Sequence, residues 1–339
     1  MITFPRNLDE AMAVDGQFRA GGTDLMERRH MGIAEGPIVD LRDIPDLDRI
    51  EAMDVMPGLA PEVADPTPGD PTVGGLRIGA LVRLHDVATD PTIAKSYPGL
   101  AKSVTALATP QIRNTATLGG SLLQRNRCWY YRNAGFQCFK KGGNTCFARV
   151  GDHLYHSFYD LGPCIAIHPS TPAMALLAYG ARIRIHKGPE RDLAELYGSG
   201  SNIVSDHLLG AGRILTSILL PAPLPEHRAA YVRAIARARS EWPLVETLVL
   251  LGMSSDSLID WARVSIGGVA NIPLRLESVE EALVGKAPSL ENFGRAAAKA
   301  VEEAVVVPGN EYKRQLITGS LLDAMHRAAH GRPADVDSE

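Results

Sequence analysis

Two segments with paired glycines decide the fold of this chain, RAGGTDL (residues 19–25) and TPQIRNTATLGGSLL (residues 109–123). Glycine allows positive φ and a close approach of the backbone to a ligand, and consecutive free N–H groups in such a turn attract phosphate oxygens. The threonine and serine hydroxyls beside both pairs can donate to the same oxygens. A single Gly-Gly pair is more often an ordinary turn, but two similar turns in one chain indicate a pyrophosphate site. Neither segment has the G-x-G-x-x-G fingerprint or the lysine of a P-loop, so a Rossmann site and an NTPase gain no support.

The sequence around the two turns alternates between helix-like and strand-like patterns. LDEAMAV (residues 8–14) predicts a short amphipathic helix, and Pro37–Leu41 predicts a strand. Further strands are expected in the apolar runs at residues 174–186, 212–221 and 262–266. Helical spacing is found at residues 278–283, 292–305 and 312–329. This mixture predicts an α/β fold.

The length of 339 residues favours two or three domains. PAPLP (residues 221–225) has the composition of a linker, and it separates a predicted domain at residues 1–222 from a second at residues 226–330. Residues 54–75, rich in Pro, Gly and Asp, predict a loop or hairpin excursion, and the tail from Pro333 is expected to fray.

Composition narrows the classes of partner. The net charge of −4, without a long basic run, gives no reason to expect a nucleic acid or an anionic membrane. The N-terminal residues lack the basic and apolar regions of a signal peptide, and no apolar run approaches the roughly 20 residues of a membrane helix. The expected location is the cytoplasm, or the periplasm if the folded chain is exported on the signal of a partner subunit.

All four cysteines lie within 37 residues: Cys128, Cys138, Cys146 and Cys164. Such clustering favours a metal or redox site over scattered core thiols, and a reducing compartment disfavours disulfides. Zinc remains an alternative, although zinc sites usually pair their ligands as C-x₂₋₄-C. The spacings also match no common ferredoxin pattern. An iron–sulfur cluster is favoured by aromatic and basic neighbours that could shield it and offset its negative charge, namely Trp129, Tyr130, Tyr131, Phe136, Arg125, Arg127, Arg132, Lys140 and Lys141.

Whole strings of sequence add a resemblance. RAGGTDL, TPQIRNTATLGGSLL, LGAGRILTSILLP (residues 209–221) and SIGGVANIPLR (residues 265–275) occur in the order found in flavin subunits of the xanthine dehydrogenase and carbon monoxide dehydrogenase family, which this chain resembles over nearly its whole length. The resemblance implies a vanillyl-alcohol-oxidase or PCMH-type FAD-binding domain of two subdomains, followed by a carbon monoxide dehydrogenase flavoprotein-like α/β domain. The FAD-contacting positions that it implies are Arg19, Ala20, Gly21, Gly22, Thr23, Asp24, Leu25, Thr109, Arg113, Asn114, Thr117, Gly119, Gly120, Ser121 and Arg233. Two of these depart from the family, which often has asparagine at Ser121 and lysine at Arg233.

The cysteine-bearing insertion, about residues 121–165, resembles that of periplasmic-type aldehyde oxidoreductases and of 4-hydroxybenzoyl-CoA reductases. It implies that the four cysteines bind a [4Fe–4S] cluster. His153, His156 and His168 lie close by in sequence but are not required as ligands.

The function implied is that of an oxidoreductase subunit with no catalytic acid–base residues of its own. A large molybdopterin-binding subunit would oxidise an aldehyde, a small subunit with [2Fe–2S] clusters would pass electrons on, and the FAD of this chain would deliver them to an external acceptor. The alternatives are the beta subunit of a 4-hydroxybenzoyl-CoA reductase-like enzyme, a free-standing vanillyl-alcohol-oxidase-type flavoprotein, and a zinc-stapled scaffold without flavin.

Overall fold

Three β-sheets follow one another along the chain in this computed structural model, which describes residues 1–53, 74–224, 226–238, 240–302 and 304–331. Their strands are β1 (Ile2–Thr3), β2 (Gln17–Arg19), β3 (Ile38–Asp40), β4 (Ile50–Ala52), β5 (Leu76–Gly79), β6 (Arg182–Ile185), β7 (Arg191–Asp192), β8 (Leu215–Leu220), β9 (Arg228–Ala234), β10 (Val245–Met253), β11 (Ile259–Gly267) and β12 (Leu274–Arg275). The α-helices are α1 (Leu8–Ala13), α2 (Leu25–His30), α3 (Leu84–Thr89), α4 (Pro91–Ser96), α5 (Pro98–Thr105), α6 (Pro110–Arg113), α7 (Leu118–Leu122), α8 (Phe147–Val150), α9 (Thr171–Ala178), α10 (Glu277–Leu283), α11 (Leu290–Glu302) and α12 (Lys313–His330).

The first sheet is parallel, with the strand order β1-β3-β2. Helix α1 begins where Asn7 accepts a hydrogen bond from the N–H of Glu10, and its one fully buried residue, Ala11, packs on Val39 of the sheet. The predicted helix at residues 8–14 and the predicted strand at residues 37–41 are both confirmed. The first glycine turn directly follows β2, so this small sheet fixes its position.

The second sheet has the strand order β4-β5-β8-β6-β7, and all of its pairs are antiparallel. Helices α3, α5, α7 and α9 share its apolar core. The strand expected at residues 212–221 is confirmed as β8. The strand expected at residues 174–186 is wrong in its first half, because residues 171–178 form α9 and only β6 is extended. Ser170 caps that helix by accepting a hydrogen bond from the N–H of Ala173. Because nearly every residue of α9 is buried, the sequence has no polar face that would indicate a helical period.

The third sheet, β12-β11-β10-β9, is antiparallel and is packed by the last three helices. Strand β10 is buried along almost its full length. The predicted strand at residues 262–266 and the three predicted helices beyond it are confirmed as β11, α10, α11 and α12. In the sequence, the predicted linker falls between the end of β8 at Leu220 and the start of β9 at Arg228, and the domain boundary there remains a prediction.

The cysteine-bearing segment follows α7 directly. Between residues 124 and 165 the backbone forms the short helix α8, a single 3₁₀ turn at Phe139–Lys141 and two isolated β-bridges, Cys138 with Thr145 and Tyr159 with Val306. The loop expected at residues 54–75 and the frayed tail lie almost entirely outside the described residues. Within the described part of the chain, none of the helices is both long and apolar enough to cross a membrane.

Candidate functional site

The two glycine turns lie against each other. A Cβ atom added to Gly21 would lie 2.0 Å from the carbonyl oxygen of Thr115, and one added to Gly120 would lie 3.8 Å from the Cβ of Ala20. Gly22 has a φ of +77°, in the left-handed region that favours glycine. Only a residue without a side chain therefore fits at position 21, and the sequence motif reflects this close approach of two backbones.

A cavity of about 730 Å³, counted with its open mouth, lies between the turns. Nine of the predicted FAD-contacting residues line it, namely Ala20, Gly21, Gly22, Thr23, Asp24, Leu25, Thr117, Gly119 and Gly120. The remaining wall is mostly apolar and is lined by Phe18, Leu41, Ala80, Leu81, Leu123, Ile214 and Leu215, with Arg28, Gln124 and Arg213 as its polar members. The two turns that the sequence singled out therefore form one site.

The two turns differ in their free N–H groups. In the second turn Gly119 donates to the carbonyl oxygen of Ala80 at 2.9 Å, Gly120 donates to Thr117 Oγ1 at 3.1 Å, and Ser121 donates to the carbonyl oxygen of Thr117 at 2.8 Å. In the first turn, the N–H groups of residues 21–24 donate to no other described residue. The expectation of free N–H groups in both turns is thus corrected: a phosphate would find them at the first turn, while the second supplies a close-fitting wall.

Three predicted contacts in the second segment serve the local backbone. Thr109 begins α6 and accepts from the N–H of Ile112. Arg113 donates to the carbonyl oxygens of Leu107 and Ala108, and Asn114 ends the helix. None of the three lines the cavity, and their contact with FAD remains a prediction.

Three more residues that were predicted to contact FAD, Arg19, Ser121 and Arg233, also lie outside the cavity lining. Arg19 forms an ion pair with the buried Asp40 at 2.8 Å. Ser121 is buried, with its hydroxyl 3.2 Å from that of Ser170. Arg233 on β9 donates to the carbonyl oxygen of Ala106, which ties the third sheet to the end of α5. These side chains stabilise the surroundings of the cavity, and their FAD contacts also remain predictions.

Two arginines that line the cavity, Arg28 and Arg213, were not predicted from the sequence. Arg28 lies one helical turn after Asp24 and pairs with it at 2.9 Å. Arg213 follows Gly212 just before β8, and no described carboxylate lies within ion-pair distance of it. The signal was present in both cases, as an Asp-Arg pair at i,i+4 and as an arginine beside glycine in LGAGRIL.

The four cysteines line a second cavity, of about 300 Å³ with its mouth included. All four are unpaired thiols, so the disulfide alternative is not realised. Burial raises the pKa of Cys128 to about 12 and that of Cys164 to about 11, so a metal centre would have to displace their protons on binding. Their sulfur atoms lie around the cavity: within the described residues, no group of three or more His, Cys, Asp or Glu side chains is arranged to hold a single metal ion.

Comparison with known proteins identifies the family. Residues 69–223 match the FAD binding domain in molybdopterin dehydrogenase, and residues 230–328 match the CO dehydrogenase flavoprotein C-terminal domain. The aldehyde oxidoreductase FAD-binding subunit PaoB of Escherichia coli K12 is 32% identical over 276 residues, 79% of this chain and 79% of that protein. This chain belongs to the FAD-binding medium subunits of the molybdenum hydroxylase family.

Other relatives of this medium subunit agree with that assignment. The carbon monoxide dehydrogenase medium chain of Afipia carboxidovorans is 26% identical over 96% of this chain and 94% of its own length. The structure of quinoline 2-oxidoreductase from Pseudomonas putida 86 matches with a TM-score of 0.71 at 21% identity, over 97% of this chain and 96% of that one. The predicted fold class is confirmed: a FAD-binding domain followed by a CO dehydrogenase flavoprotein-like domain, both of mixed α/β structure.

The first cavity fits the flavin cofactor of this family. Its Gly-Gly turns leave a cleft that side chains would fill, and the N–H groups of the first turn and the guanidinium groups of Arg28 and Arg213 suit a diphosphate. These residues therefore agree with FAD binding, which the family match establishes for this medium subunit.

The basic residues near the cysteines are largely paired with carboxylates. Arg132 contacts Asp24 at 2.5 Å, while Arg125 and Lys140 contact Asp206 at 2.6 and 3.1 Å. Burial alone would raise the pKa of Asp206, but Arg125 and Lys140 lower it to about 2. Much of the positive charge expected to offset a cluster is thus already balanced.

Of the expected aromatic shield, Tyr130 and Tyr131 line the second cavity. Phe136 packs edge-on against Tyr130, with ring centroids 5.1 Å apart. Trp129 is 36% exposed and lies outside the lining.

Proposed function

We propose that this medium subunit carries a [4Fe–4S] cluster beside its FAD and is the electron-transfer subunit of a heterotrimeric, molybdenum-dependent aldehyde oxidoreductase. The observation that carries the proposal is the meeting of all four cysteines of the chain on one cavity. Four thiols that line one cavity match the four-thiolate ligand set of such clusters. The ligands would be Cys128, Cys138, Cys146 and Cys164.

The position of that cavity supports electron exchange with FAD. Cys128 follows Gly120 by eight residues, and Asp24 of the first glycine turn is paired with Arg132, four residues beyond Cys128. FAD accepts electrons in pairs and returns them singly, which suits a place between a two-electron centre and one-electron carriers. The ion pair of Asp24 with Arg132 holds the two sites together.

The substrate class rests on similarity. PaoB is named as the FAD-binding subunit of an aldehyde oxidoreductase, and it is 32% identical to this chain. On that basis the partners are a large molybdopterin-binding subunit, where the aldehyde is oxidised, and a small subunit with [2Fe–2S] clusters. An external acceptor takes the electrons from this subunit, which itself supplies no catalytic acid or base. We place the assembled complex in the cytoplasm, or in the periplasm after folded export on a partner's signal.

The cofactor content of the full chain, purified under anaerobic conditions, tests the cluster. We expect about four iron and four labile sulfide per FAD. Cys138→Ser and Cys164→Ser should lose most of the iron and keep the flavin, whereas Ser217→Ala, a buried change in β8, should keep both. Flavin-containing protein without iron and sulfide would overturn the proposed cluster, and a zinc-loaded, colourless protein would overturn the whole proposal.

Activity of the assembled complex tests the substrate class. We expect turnover of aromatic aldehydes with an artificial acceptor, and no activity of this chain alone. Activity only with 4-hydroxybenzoyl-CoA would favour the thioester reductase alternative. Oxidation of a substrate by the isolated chain would favour a free-standing flavoprotein oxidase.

A further inference from the structure

His156 lies directly beside one of the proposed cluster ligands. Its Nε2 atom is 3.2 Å from the Sγ of Cys128, and the residue is 3% exposed. The ring packs edge-on against Trp129, with centroids 4.8 Å apart and planes at 85°. The backbone N–H of His156 donates to the carbonyl oxygen of His153 at 2.9 Å. The imidazole is therefore held in place by its backbone and by a neighbouring ring.

The two ring nitrogens of His156 have different surroundings. Nδ1 is buried and has no hydrogen-bond partner among the described residues, whereas Nε2 faces sulfur. A neutral imidazole carries one N–H, on either Nδ1 or Nε2. A proton on Nδ1 would leave a buried donor unpaired and turn the Nε2 lone pair toward the thiolate that binds iron. A proton on Nε2 gives an N–H···S hydrogen bond instead.

Cys128 differs from the other three cysteines because a side-chain nitrogen lies within hydrogen-bond distance of its sulfur. Within the described residues, His156 is the one side chain that contacts a cysteine sulfur at hydrogen-bond distance. Backbone N–H groups also approach two of the sulfurs, those of Tyr130 and Tyr131 at Cys128 and that of Ala166 at Cys164, so Cys128 receives the imidazole in addition to backbone donors. Donors at a thiolate ligand stabilise the more negative, reduced state of a cluster and so raise its reduction potential.

We propose that His156 is a positioning residue that donates its Nε2–H to Cys128 Sγ and thereby raises the reduction potential of the cluster on this subunit. This inference rests on the proposed function, because it requires the cluster. It assigns a role to a histidine that the ligand set itself does not need.

A redox titration of the full chain, followed by EPR of the reduced cluster, tests this role. His156→Leu removes the donor, and we expect about a tenfold shift of the oxidised-to-reduced ratio toward oxidised cluster at a fixed potential, which is about 59 mV for one electron. His156→Gln keeps an amide N–H, and its cluster should have a reduction potential between those of the wild type and of His156→Leu. His227→Leu, which removes an imidazole that bonds Tyr179 and Leu224 away from the cavity, should leave the potential unchanged.

A second measurement uses the unaltered chain. With ¹⁵N-labelled histidine, pulsed EPR of the reduced cluster should detect coupling to an imidazole nitrogen. An uncoupled spectrum, or a His156→Leu cluster with the wild-type potential, would overturn the role of His156 and leave the proposed function standing. Wild-type protein without iron would instead remove the proposed function. If His156→Leu loses its iron, its potential cannot be measured, and the presence or absence of histidine nitrogen coupling in the labelled wild type then decides the role of His156.

Discussion

The carboxylate of Asp24 lies 2.5 Å from the guanidinium group of Arg132, a residue 108 positions away in the chain. Asp24 belongs to the first glycine turn, and Arg132 belongs to the cysteine-bearing segment. Burial alone would raise the pKa of Asp24, but the charges of Arg132, Arg28 and Arg127 lower it below the ordinary aspartate value. This pair therefore fixes the two proposed cofactor sites relative to each other.

Loss of that carboxylate should destabilise the chain. Asp24→Asn removes the nearer of the two carboxylates that pair with the buried Arg132, since Glu27 lies 3.7 Å away, and we expect the free energy of unfolding to fall by about 3 kcal/mol, at the lower end of values for broken buried pairs. Urea unfolding measures the change. Glu291→Gln, which breaks an exposed pair with Arg295 on α11, is the control and should cost less than about 1 kcal/mol. Equal costs for the two changes would contradict a structural role for Asp24.

Flavin retention should depend on the absence of a side chain at Gly21. In Gly21→Ala the new methyl group would lie 2.0 Å from the carbonyl oxygen of Thr115, so the two turns must separate and the cleft must change shape. We expect the purified variant to lose most of its FAD, measured as the ratio of flavin to protein absorbance. Gly294→Ala on α11, where the added methyl group meets nothing within 4 Å, should keep its full flavin content. Full flavin content in Gly21→Ala would show that this contact is not needed.

The charge of Arg213 should contribute to FAD affinity. The side chain lines the larger cavity, and a charge-assisted hydrogen bond to a phosphate contributes about 1.5 kcal/mol, roughly tenfold in affinity. Arg213→Gln should therefore raise the dissociation constant of FAD about tenfold and weaken its dependence on salt. Fluorescence titration of flavin-depleted protein at two salt concentrations measures both quantities. Arg295→Gln, on the exposed face of α11, should change neither, and an unchanged constant for Arg213→Gln would place the phosphates elsewhere.

Lys313 should make the stability of the chain depend on pH above neutrality. Its side chain is fully buried and donates to the carbonyl oxygen of Gly268, and burial lowers its pKa to about 7. Since the unfolded chain keeps this proton up to a pH of about 10, the unfolded state binds more protons in between and stability rises with pH. Relative to Lys313→Met, the wild type should gain stability from pH 7 to pH 10 in urea unfolding. The exposed Lys95→Met should show no such trend, and parallel curves for wild type and Lys313→Met would refute the assignment.

Local signals in the sequence were enough to predict that the two Gly-Gly turns form the larger cavity. The two Gly-Gly turns meet because only glycine allows the contact at Gly21, so the motif and the contact have one physical cause. The threonine before the second glycine pair was also a visible helix N-cap, and it explains why Gly120 has no free N–H. The cysteines on one cavity follow from their clustering within a short segment.

Long-range partners could not be predicted in the same way. Asp206 lies some 80 residues beyond Arg125, and nothing in the local sequence indicates that it balances the charge of Arg125 and Lys140. Helix α9 was mistaken for a strand because burial on all sides removes the polar face that reveals a helical period. The contact of His156 with Cys128 joins residues 28 positions apart, and only the folded chain shows it.

Helix α7 contains the second glycine pair, and only five residues lie between its end at Leu122 and Cys128. This short, continuous piece of backbone limits how far the proposed cluster can lie from the flavin. The same segment is also bonded to the C-terminal sheet, because Phe158 donates its N–H to the carbonyl oxygen of Val269 and Asn271 donates to that of Cys164. A movement of that sheet would therefore be passed to the proposed cluster through this segment.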